Sequence, residues 1–530
     1  MRAEDLRALS PREDRRAGAI LGLAVGDALG APHEFRRPDD VPAGSLGMTG
    51  GGVFGWAPGE TTDDTALAKA VLEGYRKGTL DLGRVRDAML RWRDNDLRDI
   101  GNQTRKALDY LGRHPEVLSL PEDLEAQGNG AVMRAAPHGV MTGSPEEAFD
   151  NAFEEELHAD EEALAEAEAA VEGAGCVVAV GSGTITDLCK EATARKGDVP
   201  LVVVQTAASV NAYAINMSVL LKSGVQRTGT SKWPDALLID LPILRGTPPV
   251  MTLAGFGDLL AAWTSPADWY LAALVGMEDA YHPAPLNMLF EQGREVTDRA
   301  AAVGRREPEA LEKLARCLTL GGMAAGVIGK TAPLSGTEHL VSHLLDMNAG
   351  LRHLPFNFHG VQVGVATLPV AAWEELFSGL DPAEIVVDVC FPAPQAMEPV
   401  VRDAFAELDP TGGVGEECWS DYALKLERWK ESRPQFEAFL ANWPVHRAEL
   451  KEMVLPPEKL GKALREAGAP ARFEELDAPV PGETAFWALR NCLLMRNRFT
   501  VADLLFFIGW WDDEFVKGLF QRANAAAGER

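Results

Sequence analysis

Val177-Val178-Ala179-Val180-Gly181-Ser182-Gly183-Thr184-Ile185-Thr186-Asp187 is the stretch on which the fold turns. Four apolar residues run into a Gly-Ser-Gly turn and then into a polar helix start. The pattern predicts a buried strand, a tight turn and a helix N-terminus. The first N–H groups of such a helix have no intrahelical partner. With the helix dipole they suit a phosphate or pyrophosphate. The same turn also serves as a plain strand–helix connection, so the flanking sequence decides between the two.

Downstream, Pro200-Leu201-Val202-Val203-Val204-Gln205-Thr206 reads as a second buried strand, ending in Ala207-Ala208-Ser209-Val210-Asn211. Ala236-Leu237-Leu238-Ile239-Asp240-Leu241 is a third apolar run. Strands alternating with helices predict a parallel sheet with ligands at its carboxyl ends. Upstream, Glu154 to Glu172 is acidic and Ala-rich, and it predicts a helix with a solvated face.

From about residue 250 long helical periods dominate, punctuated by Gly and Pro. Ala254-Gly255-Phe256-Gly257-Asp258 is expected to open a helix. His339 and His343, four residues apart, share a helix face, and Phe358-His359-Gly360 begins a further element. A lone His is usually structural or exposed. His339, His343 and His359 fall close together in the chain, and with Asp258 they suit an N,N,O site for Zn²⁺ or another transition metal.

The N-terminal part, to about residue 145, reads as helical. Gly18, Gly22, Gly26 and Gly30 recur every four residues, a stripe that lets a helix or ligand approach the backbone closely. After a Gly-rich stretch from Ala43 to Gly59 comes Glu60-Thr61-Thr62-Asp63-Asp64-Thr65, leading into the apolar-periodic Ala66 to Tyr75. Thr and Asp at a helix start are ordinary caps. Two adjacent Asp flanked by Thr hydroxyls also make a dense set of hard oxygen ligands suited to Mg²⁺ or Mn²⁺. A loop from Gly128 to Arg134 sets an Arg beside glycines.

The 530 residues suggest about three domains. A net charge of −28 argues against non-specific nucleic-acid binding, which needs clustered Lys and Arg. Six scattered cysteines without a C-x-x-C pair predict a reducing compartment and no disulfide framework. The first residues lack an apolar signal core, and no run reaches the ~18 apolar residues of a membrane span. A cytoplasmic protein, with no membrane partner, is the expectation.

Two resemblances follow from these motifs. GAILGLAVGDALGAPHEF, GETTDDTALA, DIGNQTRKAL and GNGAVMRAAPHGV, in this order, resemble the N-terminal half of the ADP-ribosylglycohydrolase family over about residues 14–145. The resemblance implies an all-helical fragment, removal of ADP-ribose from modified side chains, and Mg²⁺ held by Thr62, Asp63 and Asp64. Glu34 matches an acidic position used in some members. The family's second Asp-rich metal motif, of the type G-x-D-x-D-T, does not follow residue 145. Further on, HADEE, VAVGSGTITDL, TAASVNAYA, LIDLPIL, AGFGDLLAAWTSPADW, SGTEHLVSH, HGVQVG and RFTVADLL resemble the sn-glycerol-1-phosphate dehydrogenase group over about residues 150–520. That group is part of the glycerol dehydrogenase and iron-containing alcohol dehydrogenase superfamily, whose fold is also similar to dehydroquinate synthase.

This second resemblance implies a catalytic metal on Asp258, His339 and His359, with His343 a near neighbour. It implies NAD or NADP held by Gly181, Ser182, Gly183, Thr184 and Asp187, with Thr206, Ser209 and Asn211 near the nicotinamide and metal. The metal would be Zn, Ni or Fe, and the substrate pair dihydroxyacetone phosphate and glycerol-1-phosphate. Lys222, Arg227 and Lys330 are candidates for the substrate phosphate. Two departures stand out. The N-terminal strand-and-helix unit that completes the superfamily's nucleotide-binding sheet is absent, and the hydrolase-like segment stands in its place. Lys330-Thr331-Ala332-Pro333-Leu334 replaces the Ser-Arg-Pro type of lead-in to Ser335-Gly336.

The expected architecture is therefore multidomain: an all-α hydrolase-like fragment (1–148), a truncated Rossmann-like α/β sheet (149–250) and an all-α metal-binding domain (251–530). The expected activity is that of a metal-dependent NAD(P)-linked oxidoreductase. An ADP-ribosylglycohydrolase with an incomplete Mg²⁺ site is the alternative, and a fusion with neither site complete is the third. No linker rich in Gly, Ser or Pro separates the two halves. A homodimer is left open.

Overall fold

Runs of β-branched residues favour strands because their branched side chains pack on a pleated surface. Val177–Gly181 (β1) and Leu201–Gln205 (β2) are such runs, and they pair in parallel with Ala179 opposite Val203. The structure is a computed structural model and describes residues 11–34, 47–76, 79–95, 98, 100, 102–114, 161–197, 199–222, 225–352 and 354–528. The chain forms two compact units, Met1–Leu157 with Gly173–Gly175, and His158–Glu172 with Cys176–Arg530.

In the first unit helices span Pro11–Gly30, Asp63–Gly74, Leu82–Asn95 and Asn102–Arg113, with a two-residue hairpin at Tyr75–Arg76 and Thr79–Leu80. Leu67, Val71, Tyr75, Val85, Met89 and Leu108 form its small core. The glycine stripe is not in close contact where it is described: a Cβ on Gly26 or Gly30 would meet nothing within 4 Å. The Gly128–Arg134 loop lies outside the described residues.

In the second unit Glu161–Ala170 (α1) buries Ala163 and Leu164 against Leu188 and Ala192 of Gly183–Arg195 (α2). Glu161 and Glu166 are exposed, as expected for the solvated face of an acidic helix. A hairpin absent from the sequence-based expectation, Met217–Lys222 (β3) with Val225–Thr230 (β4), comes before the third parallel strand, Ala236–Ile239 (β5). The sheet order is β1-β2-β5. Among the described residues β1 is therefore an edge strand. Val178 and Val180 are 58% and 60% exposed and Leu238 54%, so one sheet face is largely bare.

Beyond the sheet the chain is helical, around one large core that includes Trp263, Trp373, Trp429 and Phe436. Four helices there matter for the site: Pro249–Leu260 (α3), Pro308–Ile328 (α4), Thr337–Leu351 (α5) and His359–Ala366 (α6). All six cysteines are free thiols. Among the described residues no helix is long and apolar enough to cross a membrane.

Candidate metal and cofactor site

Glycine decides how these helices meet. A Cβ on Gly257 of α3 would lie 2.1 Å from the Gly360 carbonyl oxygen, and one on Gly360 of α6 would lie 2.0 Å from that of Ala254. Only a residue without a side chain allows backbones this close. The contact brings Asp258, next to Gly257, beside His359, next to Gly360. Asp258 does not open its helix, as the sequence suggested. It sits in the last turn of α3, because the helix already starts at Pro249.

Helix α5 adds His339. His339 Nε2 is 3.4 Å from Asp258 Oδ1, and its ring centre is 5.2 Å from that of His359. Ligand atoms of Asp258, His339 and His359 all lie within 4.8 Å of one another. Asp258 and His339 are buried and His359 is partly exposed, which leaves the cluster one wet side. Burial opposes charge on His339, but Asp258 and Glu338 hold its pKa at about 9. Burial would likewise raise the Glu338 carboxyl, yet bonds from His339, Ser265 and Gly336 hold it at about 2. Two imidazoles and a carboxylate at this spacing fit a divalent transition metal.

His343 stacks on His359 with ring centres 5.5 Å apart. Its Nδ1 is sealed from solvent and has no hydrogen-bond partner. Burial, then the charges of His359 and Arg496, push its pKa well below the ordinary value, so it stays neutral. With Asp346 and His359 it makes a second cluster of ligand atoms within 4.8 Å. Gln362 Nε2 donates to Asp346 Oδ1 at 2.8 Å and to Ser342 Oγ at 3.0 Å, and Ser342 Oγ is 3.3 Å from His359 Nδ1.

The turn that opened the sequence analysis lies beside this cluster through one loop, Thr206 to Asn211. A Cβ on Gly183 would meet Val210 at 2.8 Å, one on Gly255 would meet Ala208 O at 1.8 Å, and one on Gly322 of α4 would meet Asn211 O at 2.3 Å. The loop is thus held between the start of α2 and two helices of the helical part. Thr206 N donates to Gly181 O at 3.2 Å, and Asn211 N donates to Asp258 Oδ2 at 2.9 Å. Ser182 is the N-cap of α2 and its side chain makes no capping bond. Gly181, Ser182, Gly183 and Thr184 are all partly exposed. An uncapped, accessible start to a 13-residue helix fits a pyrophosphate.

Not every expected site residue is brought together. Asp187 faces away from the turn: it is 6% exposed, pairs with Lys190 at 2.7 Å and accepts from Val219 N at 3.1 Å. It fastens α2 to the hairpin and is not free for a cofactor. Ser209 Oγ is turned to Tyr213 Oη at 3.1 Å. Of the phosphate candidates, Lys330 pairs with Glu278 at 2.6 Å and Arg227 pairs with Asp421 and Glu417. The Lys222 side chain lies outside the described residues. Arg496 and Arg498 carry no site signal in the sequence and join the site only in the fold. Arg498 is partly buried and bonds neutral oxygens, Ser335 Oγ at 2.7 Å and Thr331 Oγ1 at 2.8 Å. Loss of water around it, together with the charge of Arg496, lowers its pKa to about 10. The lead-in Lys330–Leu334 thus meets a cation supplied by the Arg-Asn-Arg of residues 496–498.

In the first unit Thr62 caps the Asp63–Gly74 helix, its Oγ1 accepting from Asp64 N at 3.4 Å. Asp27, in the Gly-rich helix, accepts from Thr62 N at 3.0 Å and from Thr65 N at 3.1 Å and Thr65 Oγ1 at 2.5 Å. Asp27 was another omission of the sequence reading. Among the described residues, this unit brings no three His, Cys, Asp or Glu ligand atoms within 4.8 Å. Asp63 and Asp64 thus belong to no such cluster among the described residues.

Comparisons with known proteins match both halves. The ADP-ribosylglycohydrolase family matches residues 8–213. An ADP-ribosylarginine hydrolase Tri1 of Serratia proteamaculans is 37% identical over 136 residues, 24% of this chain and 37% of that protein. Glycerol-1-phosphate dehydrogenase [NAD(P)+] of Bacillus licheniformis is 33% identical over 214 residues, 40% of this chain and 53% of the relative. The Bacillus subtilis enzyme is 31% identical over 192 residues, 36% and 48% of the two chains. The chain thus spans about half the length of these dehydrogenases. Among solved structures, a probable glycerol dehydrogenase from Sinorhizobium meliloti 1021 aligns over 69% of this chain and 82% of its own, at 16% identity and a TM-score of 0.42. The chain is thus similar to two families of enzymes, the ADP-ribosylglycohydrolases and the glycerol-1-phosphate dehydrogenases.

Proposed function

We propose that this chain is a metal-dependent, NAD(P)-linked oxidoreductase that interconverts dihydroxyacetone phosphate and glycerol-1-phosphate. The observation that carries this is the convergence of Asp258, His339 and His359 from three helices, with ligand atoms within 4.8 Å. The names of the dehydrogenase relatives support the cofactor and substrate. Those three residues would hold Zn²⁺, Ni²⁺ or Fe²⁺, which supplies Lewis-acid polarisation of a carbonyl. A nicotinamide cofactor held at the start of α2 would supply or accept the hydride. The N–H groups opening α2, at Gly183 and Thr184, bind and orient the cofactor pyrophosphate. Asn211 N fixes the Asp258 carboxylate, and Arg498 with Arg496 attracts the substrate phosphate into the buried end. His343, neutral and unpartnered at Nδ1, is left to hydrogen-bond the substrate oxygen.

The test is NADH or NADPH oxidation by purified protein with dihydroxyacetone phosphate and each metal in turn. Turnover is expected, and His359→Ala should lower it by about 10²–10³-fold, the scale of losing one electrostatic stabiliser. Unchanged turnover in that variant sinks the assignment. The family match at residues 8–213 favours a second reading, ADP-ribose release with Mg²⁺ at Thr62, Asp63 and Asp64. It requires release of ADP-ribose from a modified arginine peptide, and loss of that release in Asp63→Ala.

A further inference from the structure

Glu338 stands immediately before His339 in α5 and is 1% exposed. Its Oε1 accepts from His339 Nδ1 at 2.8 Å, from Ser265 Oγ at 2.6 Å and from Gly336 N at 2.6 Å. Its Oε2 accepts from Thr264 Oγ1 at 2.8 Å. Among the described residues its one ion-pair partner is His339. No Lys or Arg pairs with it among the described residues, and Arg498 reaches it only through charge at longer range. A carboxylate in so dry a place is costly unless its charge is used. Every partner around it donates, so the pocket is shaped for the ionised form. The other imidazole of the cluster lacks this device. His359 Nδ1 meets a hydroxyl, Ser342 Oγ at 3.3 Å, and the nearest carboxylate oxygen, Asp346 Oδ2, is 3.9 Å away.

We propose that Glu338 is the positioning residue of the metal centre. By accepting the Nδ1 proton it fixes the His339 tautomer that presents Nε2 toward Asp258, and its charge makes that nitrogen a stronger metal donor. Ser265, Thr264 and Gly336 N in turn hold the carboxylate, so the orientation of His339 is inherited from the segment that follows α3. This rests on the metal site proposed above. Its consequence is specific: metal affinity depends on a residue that is itself no ligand. A carboxylate behind a ligating histidine is worth ~10–100-fold in affinity.

The experiment is chelator-competition titration of Zn²⁺ and Ni²⁺ into full-length protein, wild type and Glu338→Gln, with the melting temperature of the metal-free forms measured alongside. Glu338→Gln is expected to stay folded and to bind ~10–100-fold more weakly. Folded Glu338→Gln that binds within about threefold of wild type overturns the proposal, since it lies well below that range. Wild type that binds no metal, or His359→Ala that binds as wild type does, overturns the metal site itself and the role of Glu338 with it. Where Glu338→Gln does not fold, the test moves to metal-loaded wild type with ¹⁵N-labelled imidazoles, His339 being assigned by its loss in His339→Asn. A metal-ligated Nε2 with a protonated Nδ1 supports the proposal. A metal-ligated Nδ1 overturns it.

Discussion

Lys425 and Asp503 are both fully buried and lie 2.7 Å apart, far from the metal cluster in sequence. Burial pushes the Lys425 pKa down and that of Asp503 up, while the charge of each on the other opposes the shift. Lys425 Nζ also donates to Leu493 O at 2.6 Å, and Asp503 caps its own helix by accepting from Thr500 N at 2.8 Å. Each charge is thus tied to backbone as well as to its partner, which is the condition under which a buried pair is retained. Removing one partner leaves the other uncompensated. Lys425→Met is therefore expected to cost about 3–5 kcal/mol of unfolding free energy in a denaturant melt. Lys425→Met with Asp503→Leu should recover part of that. A single variant as stable as wild type would show that water or a shifted side chain compensates Asp503. Lys190 with Asp187 obeys the same rule. Its Nζ donates to Ala212 O at 2.9 Å and to Met217 O. Asp187 reads from the sequence as an acidic residue near a phosphate turn, and only the fold shows that a lysine three residues on has claimed it.

The pairing of α3 with α6 is the element on which the site depends. Gly255 and Gly257 look, in sequence, like the flexible lead-in to a helix. They lie instead within the second half of α3, which starts at Pro249, Gly255 against the Ala208 backbone and Gly257 against that of Gly360. Nothing local distinguishes these two uses of glycine, because both partner backbones lie far away in the sequence. A Cβ on Gly257 would stand 2.1 Å from the Gly360 carbonyl oxygen. Backbone cannot give way as a flexible side chain can, so the helices must separate. Gly257→Ala should cost about 1–3 kcal/mol, the range for overpacking a filled interior. Since Asp258 and His359 are the next residues along, the same change should also weaken metal binding. A melt and a chelator titration on one preparation check both effects. Loss of stability with unaltered affinity would show that the two helices do not set the ligand spacing.

At the scale of the molecule, what was legible followed the range of the signal. Apolar runs with β-branched residues predicted β1 and β2 at nearly their observed limits, because strand pattern is local. Asp258, His339 and His359 could be picked from chemistry and resemblance. Their supports could not: Glu338, Ser342 and Gln362 are ordinary helix residues until α3, α5 and α6 meet. The hairpin of β3 and β4 carries little sequence signal, because the apolar run of β3 is short and β4 has one apolar residue, Val225. Among the described residues β1 is an edge strand, and Val178 and Val180 stand on a sheet face that nothing covers. The two compact units supply the last prediction. All three proposed ligands belong to the unit containing Cys176–Arg530. A metal that binds only the folded state stabilises it by RT ln(1 + [L]/Kd), which is ~2.7 kcal/mol at a hundred times Kd. Calorimetry with Zn²⁺ at that concentration should therefore raise the unfolding temperature of this unit by a few degrees. Substituting Asp258 by Asn removes a charged ligand and should abolish the rise. If the melt does not move with metal, or moves equally in that variant, the cluster does not act as a metal centre and the oxidoreductase reading loses its main support.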